Sequence, residues 1–239
     1  MEILAIIPAR KGSKGIKNKN IAPLCGHPLI AYSIAAAKNS NDITRVICST
    51  NSKHISNIAK KYGAEVPFVR PERLSGDSCS DYPVFRHALD WLEKNENYVP
   101  DIVVHLRPTS PLRNLKMIKK GIKILKKHKK IDSVRSVAIP LTTPFKMWKK
   151  KNNGQLTPLL KSRGRSEPFN TARQLLPKIW AQTGTLDITR TNTILKQKSM
   201  TGQIIFPLEI DSEYFVDIDN KFSLILAEIM MKKIDCIKL

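Results

Sequence analysis

The sequence is poor in cysteine and in aromatic residues, and each shortage excludes a kind of protein. Of its 239 residues only four are cysteine (Cys25, Cys48, Cys79 and Cys236), and they form no CxxC pair. This spacing disfavours a zinc site or a disulfide framework, and it predicts reduced thiols in a cytoplasmic protein. Aromatic residues make up only 6% of the chain, which leaves few platforms on which nucleic-acid bases could stack.

Long hydrophobic runs are also missing. No apolar stretch approaches the roughly 20 residues that a membrane-spanning helix needs. The N-terminus lacks a charged segment followed by an apolar one, so we expect no signal peptide. A hydrophobic fraction of 41% is typical of a globular protein. We therefore predict a single α/β domain over residues 1–239, without membrane insertion.

Acidic residues are scarce relative to basic ones. The chain has 41 basic and 20 acidic residues and a net charge of +21, which favours polyanionic partners such as nucleotides, nucleic acid or anionic membranes. In residues 119–130, however, Ile122 and Leu125 lie among lysines as on a solvated helix with one buried edge. No RNP motif or zinc-finger spacing is present. Nucleic-acid binding is thus a less favoured alternative, which salt-dependent DNA binding would support.

Short apolar runs alternate with helical patterns up to residue 139. Strands are predicted over residues 3–7, 45–50, 101–106 and 133–139, with a short extended piece over 64–69. Helices are predicted over residues 29–37, 54–62, 83–92 and 115–125. Strands and helices of these lengths in alternation predict right-handed βαβ units and a mainly parallel sheet flanked by helices.

The alternation stops at Pro140. Residues 140–178 contain five prolines and many basic and polar residues, and the segment is too long for a plain loop. A small β-rich insertion, a partner-binding arm and a mobile lid all fit. Strand patterns return over 183–188 and 202–210, and a short strand at 216–219 precedes a C-terminal helix from about Lys221.

The stretch "IPARKGSKGIKNKN", residues 7–20, follows the first predicted strand directly. Ligands of parallel sheets bind at the C-terminal ends of the strands, so this loop is expected at the binding edge. Gly12 and Gly15 allow the backbone to approach a ligand and form an anion nest. Positive charge around them comes from Arg10, Lys11, Lys14, Lys17 and Lys19. The loop matches neither a Walker A nor a GxGxxG motif. It predicts a nucleotide or phosphosugar site, with a basic surface loop as the alternative.

Two further motifs carry chemistry. In "VDID", Asp217 and Asp219 are two residues apart on an extended segment, so their carboxylates point to the same side and suit a shared Mg²⁺. The alternative is an acidic turn in which Asp219 or Asn220 caps the next helix.

"RPTSPLR", residues 107–113, is a stiff polar loop after a strand. Its alternative interpretation is a turn and helix start with Arg113 solvated.

Six motifs together resemble the acylneuraminate cytidylyltransferases, which include CMP-sialic acid synthetases and relatives acting on other nonulosonic acids. They are "IPARKGSKGIKNKN", "STNS", "VRPERLSGD", "LRPTSPLR", "ARQLLP" and "VDIDNKFSLILAE". They occur in order over nearly the whole chain, and the first and fourth are specific. The resemblance implies a Rossmann-like α/β fold, a homodimer, Mg²⁺ as cofactor and CTP as substrate. The implied reaction joins CTP and a 2-keto-3-deoxy sugar acid to give the CMP-sugar and pyrophosphate.

The resemblance also implies individual site residues. Around the CTP phosphates and ribose it places Arg10, Ser13, Lys14, Lys19 and Asn20, with Arg70 and Asp77 near the nucleotide. It places Arg173 near the sugar or phosphates, Gln182 on the substrate side, and Asp217 and Asp219 on Mg²⁺. Arg10 and Lys14 are suited to stabilise the charge that builds during attack on the α-phosphorus. The family's insertion reaches the partner's active site, a role that suits residues 140–178.

Three positions depart from the family pattern. Asn51 stands where the family commonly has Asp. Arg107 stands where a Gln is usual close to the reacting end of the sugar, and Asp187, in the segment 182–188, replaces an aromatic residue. We hypothesise that Arg107, a third catalytic candidate, binds the acceptor's carboxylate. The alternative is a structural ion pair with an acid such as Asp187. The departures leave the acceptor open, and with it a nucleotidyltransferase for another sugar or nucleotide and a catalytically silent relative.

Overall fold

A computed structural model describes residues 1–13 and 15–239, so Lys14 lies outside the described residues. The strands are β1 (Ile3–Pro8), β2 (Pro23–Leu24), β3 (His27–Pro28), β4 (Arg45–Ser49), β5 (Ile102–His105), β6 (Ser133–Ala138), β7 (Trp148–Lys150), β8 (Leu156–Pro158), β9 (Ala181–Arg190) and β10 (Ile205–Glu209). The α-helices are α1 (Leu29–Lys38), α2 (Lys53–Lys61), α3 (Asp81–Glu96), α4 (Leu115–Lys127), α5 (Thr191–Leu195) and α6 (Lys221–Lys233). Single 3₁₀ turns span Lys19–Ile21, Glu72–Leu74, Pro144–Lys146, Pro168–Asn170, Arg173–Leu175 and Ser212–Tyr214.

The central sheet has six strands in the order β10-β6-β9-β5-β1-β4. The pairs β1–β4, β1–β5 and β6–β10 are parallel, and β9 runs antiparallel to both β5 and β6. Strand β1 is buried on both faces: Leu4 and Ile6 belong to one core cluster, and Ala5 and Ile7 to another. Such a strand needs a continuous apolar run, which is what the sequence has. The prediction of a mainly parallel α/β sheet flanked by helices is confirmed.

The helices form where the sequence predicts them, with ends that shift by a few residues. Helix α3 begins at Asp81 rather than at Pro83, because proline is tolerated in the first turn of a helix. Helix α4 buries Ile122 and Leu125 and turns its lysines outward, as expected for a solvated helix with one buried edge. In the described part of the chain, no helix combines the length and the apolar character needed to cross a membrane.

Two local interpretations are wrong, and a third segment is only loosely attached to the sheet. The segment 216–219 is not a strand, because Val216 and Ile218 bury their side chains in a cluster with α6 and make no ladder. The short extended piece over 64–69 attaches to the sheet through a bridge from Glu65 to Ile47 and forms no full strand. Arg113, which one interpretation placed in solvent, is completely buried.

Residues 140–178 leave the sheet after β6 and return at the start of β9. They contain a two-stranded antiparallel hairpin, β7–β8, and several 3₁₀ turns, so the segment includes a small β element. Trp148 packs against Phe169 with ring centroids 4.5 Å apart, and 42% of Trp148 remains exposed. The role of this segment in dimerisation and the single-domain organisation remain predictions.

Candidate active site

A cavity of about 380 Å³ opens where β1 and β5 end. It lies at the edge of the sheet that the sequence predicted for ligand binding. Most of the candidate residues line it: Arg10, Ser13, Lys19, Asn20, Arg70, Asp77, Arg107 and Asp219. Residues from opposite ends of the chain therefore meet in one site.

The loop after β1 is shaped by short-range contacts that the sequence explains. The buried Asn20 donates from Nδ2 to the carbonyl oxygen of Arg10 at 2.9 Å, which closes the loop on itself. Gly15 lies so close to Asp219 that a Cβ atom would be 2.2 Å from its carbonyl oxygen. Only glycine allows this approach, which brings the loop against the segment that carries the two candidate metal ligands.

Cations of the loop face carboxylates around the cavity. Arg10 Nη2 lies 2.5 Å from Asp77 Oδ1, and Lys19 Nζ lies 2.7 Å from Asp219 Oδ1. The Lys19 side chain is only 17% exposed, whereas that of Asp219 is 69% exposed. Alternating charges of this kind suit a ligand that carries both phosphate and a divalent cation, since each charge then finds an opposite one.

Arg70 supplies buried hydrogen-bond donors. It is 3% exposed, and its Nε and Nη2 atoms have no hydrogen-bond partner among the described residues. Burial lowers the pKa of Arg70, with the cation of Arg10 adding to the effect. Donors left unsatisfied in this way cost free energy, so a ligand that offers oxygen or nitrogen acceptors is favoured here.

Of the two candidate metal ligands, Asp219 lines the cavity, whereas Asp217 belongs to the same segment but does not line it. Ile218 N donates to Thr109 O at 2.8 Å, which ties their segment to the loop after β5. Partial loss of solvent raises the pKa of Asp217; a hydrogen bond from Thr109 opposes the rise, and the nearby charge of Asp219 adds to it. Among the described residues, no group of three or more His, Cys, Asp or Glu side chains forms a closed metal site. Two neighbouring carboxylates fit a cation that takes its other ligands from substrate phosphates and water, as Mg²⁺ commonly does.

Arg107 lies on the opposite wall of the cavity and is ion-paired. Its Nη1 is 2.8 Å from Asp187 Oδ2, and its Nη2 is 2.9 Å from Asp81 Oδ2. Burial lowers the pKa of Arg107 and the two carboxylates raise it, with a net effect upward. The ion pair with Asp187 that the sequence offered as an alternative is therefore present. Whether Arg107 also contacts the acceptor remains a prediction.

Two predicted substrate residues do not line this cavity. Arg173 donates from Nη1 to Leu141 O at 3.0 Å and from Nη2 to Pro140 O, beside a separate groove of the segment 140–178. Gln182 is exposed and accepts a hydrogen bond from Arg135 Nη1 at 3.0 Å. Lys14, the remaining predicted residue of the loop, lies outside the described residues.

The structure adds His105 and Asp81, which sequence reasoning missed. His105 lines the cavity, is 2% exposed, packs against Phe85 at 4.5 Å, and has no hydrogen-bond partner for either ring nitrogen among the described residues. Burial, followed by the charges of Arg107, Arg113 and Arg135, holds the pKa of His105 well below its ordinary value. The sequence feature that could have identified His105 is a histidine inside the apolar run "DIVVHL".

The fold matches that of two solved structures over nearly their whole length. The chain superimposes on CMP:2-keto-3-deoxy-manno-octonic acid synthetase complexed with CTP, with a TM-score of 0.69 and 13% identity, over 98% of this chain and 99% of the other. A second match is 4-diphosphocytidyl-2C-methyl-D-erythritol synthase from Anaerococcus prevotii, with a TM-score of 0.63 and 12% identity over 97% of this chain and 99% of that one. Identities this low establish the Rossmann-like fold alone.

Sequence comparison establishes the family. The profile described as Cytidylyltransferase matches residues 4–172, and the chain belongs to this family of nucleotidyltransferases. It is 34% identical over 237 residues to CMP-N,N'-diacetyllegionaminic acid synthase of Legionella pneumophila, covering 97% of each chain. It is 31% identical over 232 residues to post-translational flagellin modification protein B of Campylobacter coli, covering 97% of this chain and 96% of the relative. Pseudaminic acid cytidylyltransferase of Campylobacter jejuni is 43% identical over 121 residues, 51% of this chain and 52% of that one. The resemblance drawn from the motifs is confirmed.

Proposed function

We propose that the protein transfers CMP from CTP to a nonulosonic acid and releases pyrophosphate. One observation carries the proposal: in a chain of the cytidylyltransferase family, the cationic loop after β1 lies against Asp219 at the C-terminal edge of the sheet. Two relatives that are named for activating nonulosonic acids, the legionaminic and pseudaminic acid enzymes, support the choice of acceptor.

In the proposed reaction the anomeric hydroxyl oxygen of the sugar acid attacks the α-phosphorus of CTP. A new phosphorus–oxygen bond forms, the bond to the β-phosphate bridging oxygen breaks, and the hydroxyl proton leaves to solvent or to the released pyrophosphate. Negative charge grows on the phosphate oxygens, and fixed cations stabilise it. Arg10 and Lys19 line the cavity and are suited to this, and Lys14 is assigned the same role from its place in the loop.

Asp217 and Asp219 would hold a Mg²⁺ ion. When bound, such an ion neutralises phosphate charge as a Lewis acid. The protein's own part is to present two carboxylates beside the phosphate loop and to keep Lys19 within 2.7 Å of one of them. Arg70 would offer its unpaired donors to the nucleotide.

We also propose that the enzyme works as a homodimer in which residues 140–178 contact the partner. Large apolar side chains are exposed on this segment, including Leu141 at 87% and Leu175 at 57%. Helix α6, next to Asp219, exposes Phe222 at 75% and Ile225 at 56%. Apolar surface of this kind is typical of contacts between chains, and Arg173 does not reach the cavity of its own chain. We place the reaction in the cytoplasm, where the four free cysteines stay reduced.

Pyrophosphate release tests the proposal when CTP, UTP, GTP and ATP are each combined with a panel of sugar acids. We expect release with CTP and a nonulosonic acid, and none after addition of EDTA. Preference for another nucleotide or another sugar class would favour the second candidate, a related nucleotidyltransferase. The paired Arg107 and Asp187, which stand where the family has other residues, are the observation behind that candidate. Absence of release with every pair would refute the enzymatic proposal.

A further inference from the structure

Asp187 is the centre of a charge cluster behind Arg107, which lines the cavity. Its side chain is 4% exposed and lies 2.8 Å from Arg107 Nη1 and 2.9 Å from Arg135 Nε. Asp187 is directly opposite Arg135 on β6 and His105 on β5, so the three side chains lie on the same face of the sheet. This is the face on which α3 supplies Asp81.

Hydrogen bonds hold both the guanidinium group and the backbone carbonyl group of Arg107 in place. Its guanidinium contacts Asp187, Asp81 and, at 3.3 Å, the carbonyl oxygen of Gly184. Its own carbonyl oxygen accepts hydrogen bonds from Ser33 Oγ at 3.1 Å and from Arg113 Nη2 at 2.9 Å. Such a side chain has little freedom to move toward a ligand, so its remaining donors point in a set direction.

Both arginines that contact Asp187 are paired with carboxylates. Two arginines, Arg107 and Arg135, share two carboxylates, Asp81 and Asp187. A carboxylate of the acceptor that approached Arg107 would meet two aspartates already within 2.9 Å of its guanidinium. A guanidinium has five N–H groups, and the three contacts above leave two for a ligand. At Arg107 the cavity therefore offers fixed donors whose positive charge is already paired with carboxylates.

From this geometry we infer that Arg107 recognises a neutral oxygen of the acceptor, a hydroxyl or an amide carbonyl, and that Asp187 and Asp81 are its positioning residues. The inference rests on the proposed function and replaces the carboxylate contact that we hypothesised from the sequence. It also joins the two departures from the family pattern, since Arg107 and Asp187 form an ion pair. Asp187 acts only through Arg107, because it does not line the cavity.

Three substitutions at Arg107 separate hydrogen bonding from charge. Arg107→Gln keeps an N–H donor without charge, Arg107→Lys keeps the charge without the planar fork, and Arg107→Met keeps neither. We expect the Gln variant to hold kcat/KM for the acceptor within about tenfold, and the Met variant to lose about 100-fold. The KM for CTP should stay nearly constant in all three. Retained activity in the Lys variant with loss in the Gln variant would overturn the inference in favour of a carboxylate contact.

Acceptor analogues identify the oxygen. Analogues that lack one hydroxyl or the amide carbonyl at a time are compared on wild type and on Arg107→Met. Wild type should be clearly less active with the analogue that lacks the contacted oxygen than with the full acceptor. Arg107→Met, which already lacks the contact, should have nearly the same activity with both. If each analogue lowers the activity of both proteins by the same factor relative to the full acceptor, Arg107 contacts none of these oxygens and the inference is wrong.

Asp187→Asn tests positioning, and Arg45→Gln is the matched control for the loss of a doubly paired arginine, as in the Arg107 variants. Arg45 is also an arginine with two carboxylate partners, Glu65 and Glu96, its side chain is 17% exposed against 20% for Arg107, and it does not line the cavity. We expect Asp187→Asn to raise the acceptor KM about three- to tenfold, an effect absent when Arg107 is already Met. Arg45→Gln should lower only thermal stability. An Asp187→Asn variant that loses stability alone would leave Asp187 structural and overturn its assignment.

Failure of the inference and failure of the proposed function give different results. Wild-type protein that released no pyrophosphate with any nonulosonic acid would refute both. Active wild type with unchanged acceptor kinetics in Arg107→Met would refute the inference alone.

Discussion

Lys19 and Asp219 are 200 positions apart in the sequence, yet Lys19 Nζ donates to Asp219 Oδ1 at 2.7 Å. The contact joins the loop after β1 to the segment before α6, and Gly15 makes room for it. The cations proposed to bind phosphate and a candidate metal ligand thus meet in one cavity. The basic loop and the two aspartates would act together on the phosphates of a nucleotide.

Removal of Asp217 tests the metal proposal. Asp217→Ala should reduce turnover to background while the far-ultraviolet circular dichroism spectrum stays unchanged, because one of two carboxylates for Mg²⁺ is lost. Asp211→Ala, an exposed aspartate of the same segment, is the control and should retain activity. Near-full activity of the wild type in EDTA would contradict the metal role.

Lys14 is expected to contribute to the rate rather than to stability, on the basis of its place in the glycine-rich loop. Lys14→Ala should lower kcat by about 10²–10³-fold, as expected for the loss of one preorganised charge contact in a transition state. Lys11→Ala is the matched control in the same loop, since Lys11 pairs with Glu72 at the surface, with both side chains more than half exposed. A loss of less than tenfold at Lys14 would mean that the side chain is merely solvated.

A mixture of two inactive variants tests the shared active site. If Arg173 serves the partner's cavity, Asp217→Ala and Arg173→Ala homodimers should regain activity when subunits exchange. A mixed dimer then contains one site with an intact Asp217 and an intact Arg173, which restores about a quarter of wild-type activity after random exchange. Each variant incubated alone is the control. Light scattering that shows a monomer at micromolar concentration would contradict the dimer itself.

Local sequence patterns were sufficient for most of the fold. The apolar run Ile3–Pro8 and the amphipathic pattern of α4 each depend on neighbours in sequence, and both form as predicted. The segment 216–219 was misjudged because its conformation depends on packing of Val216 and Ile218 against distant residues, including Ala227 of α6. An alternation of polar and apolar residues is compatible both with a strand and with a loop that buries every second side chain, so the pattern does not distinguish them.

The sequence predicted the site residues that belong to continuous motifs. It did not predict those that only tertiary contacts bring to the site. The loop residues Arg10 and Asn20 were identified from one continuous stretch, and they line the cavity. Asp81 was missed because nothing in its own neighbourhood signals its contact with Arg107, which depends on how α3 packs against β5. Arg113 was placed in solvent by one interpretation because its buried partners, Thr185 O and Ser33 Oγ, lie 72 and 80 positions away.

His105 should make the protein sensitive to acid. Its pKa in the folded state is held well below that of a free histidine, first by burial, so the unfolded chain binds a proton at a pH where the folded chain does not. Stability from this residue is present above the unfolded pKa of about 6.5 and falls as the pH drops below it. Urea unfolding from about pH 7.5 to about pH 5.5 should therefore show a slope of up to about 1.4 kcal/mol per pH unit that His105→Leu removes. Equal slopes in wild type and in His105→Leu would show that His105 takes up a proton as readily in the folded chain as in the unfolded one.

Phosphorus NMR of the reaction product tests the central claim most directly. A sugar hydroxyl that attacks the α-phosphorus gives a product with one phosphorus atom, whereas a sugar phosphate acceptor would give a diphosphate with two coupled ones. With CTP, Mg²⁺ and a nonulosonic acid, we expect a single uncoupled phosphodiester resonance that grows in step with pyrophosphate and stays absent with Asp217→Ala. A pair of coupled diphosphate resonances, or CTP left unchanged with every nonulosonic acid, would contradict the proposal that this protein makes a CMP-sugar.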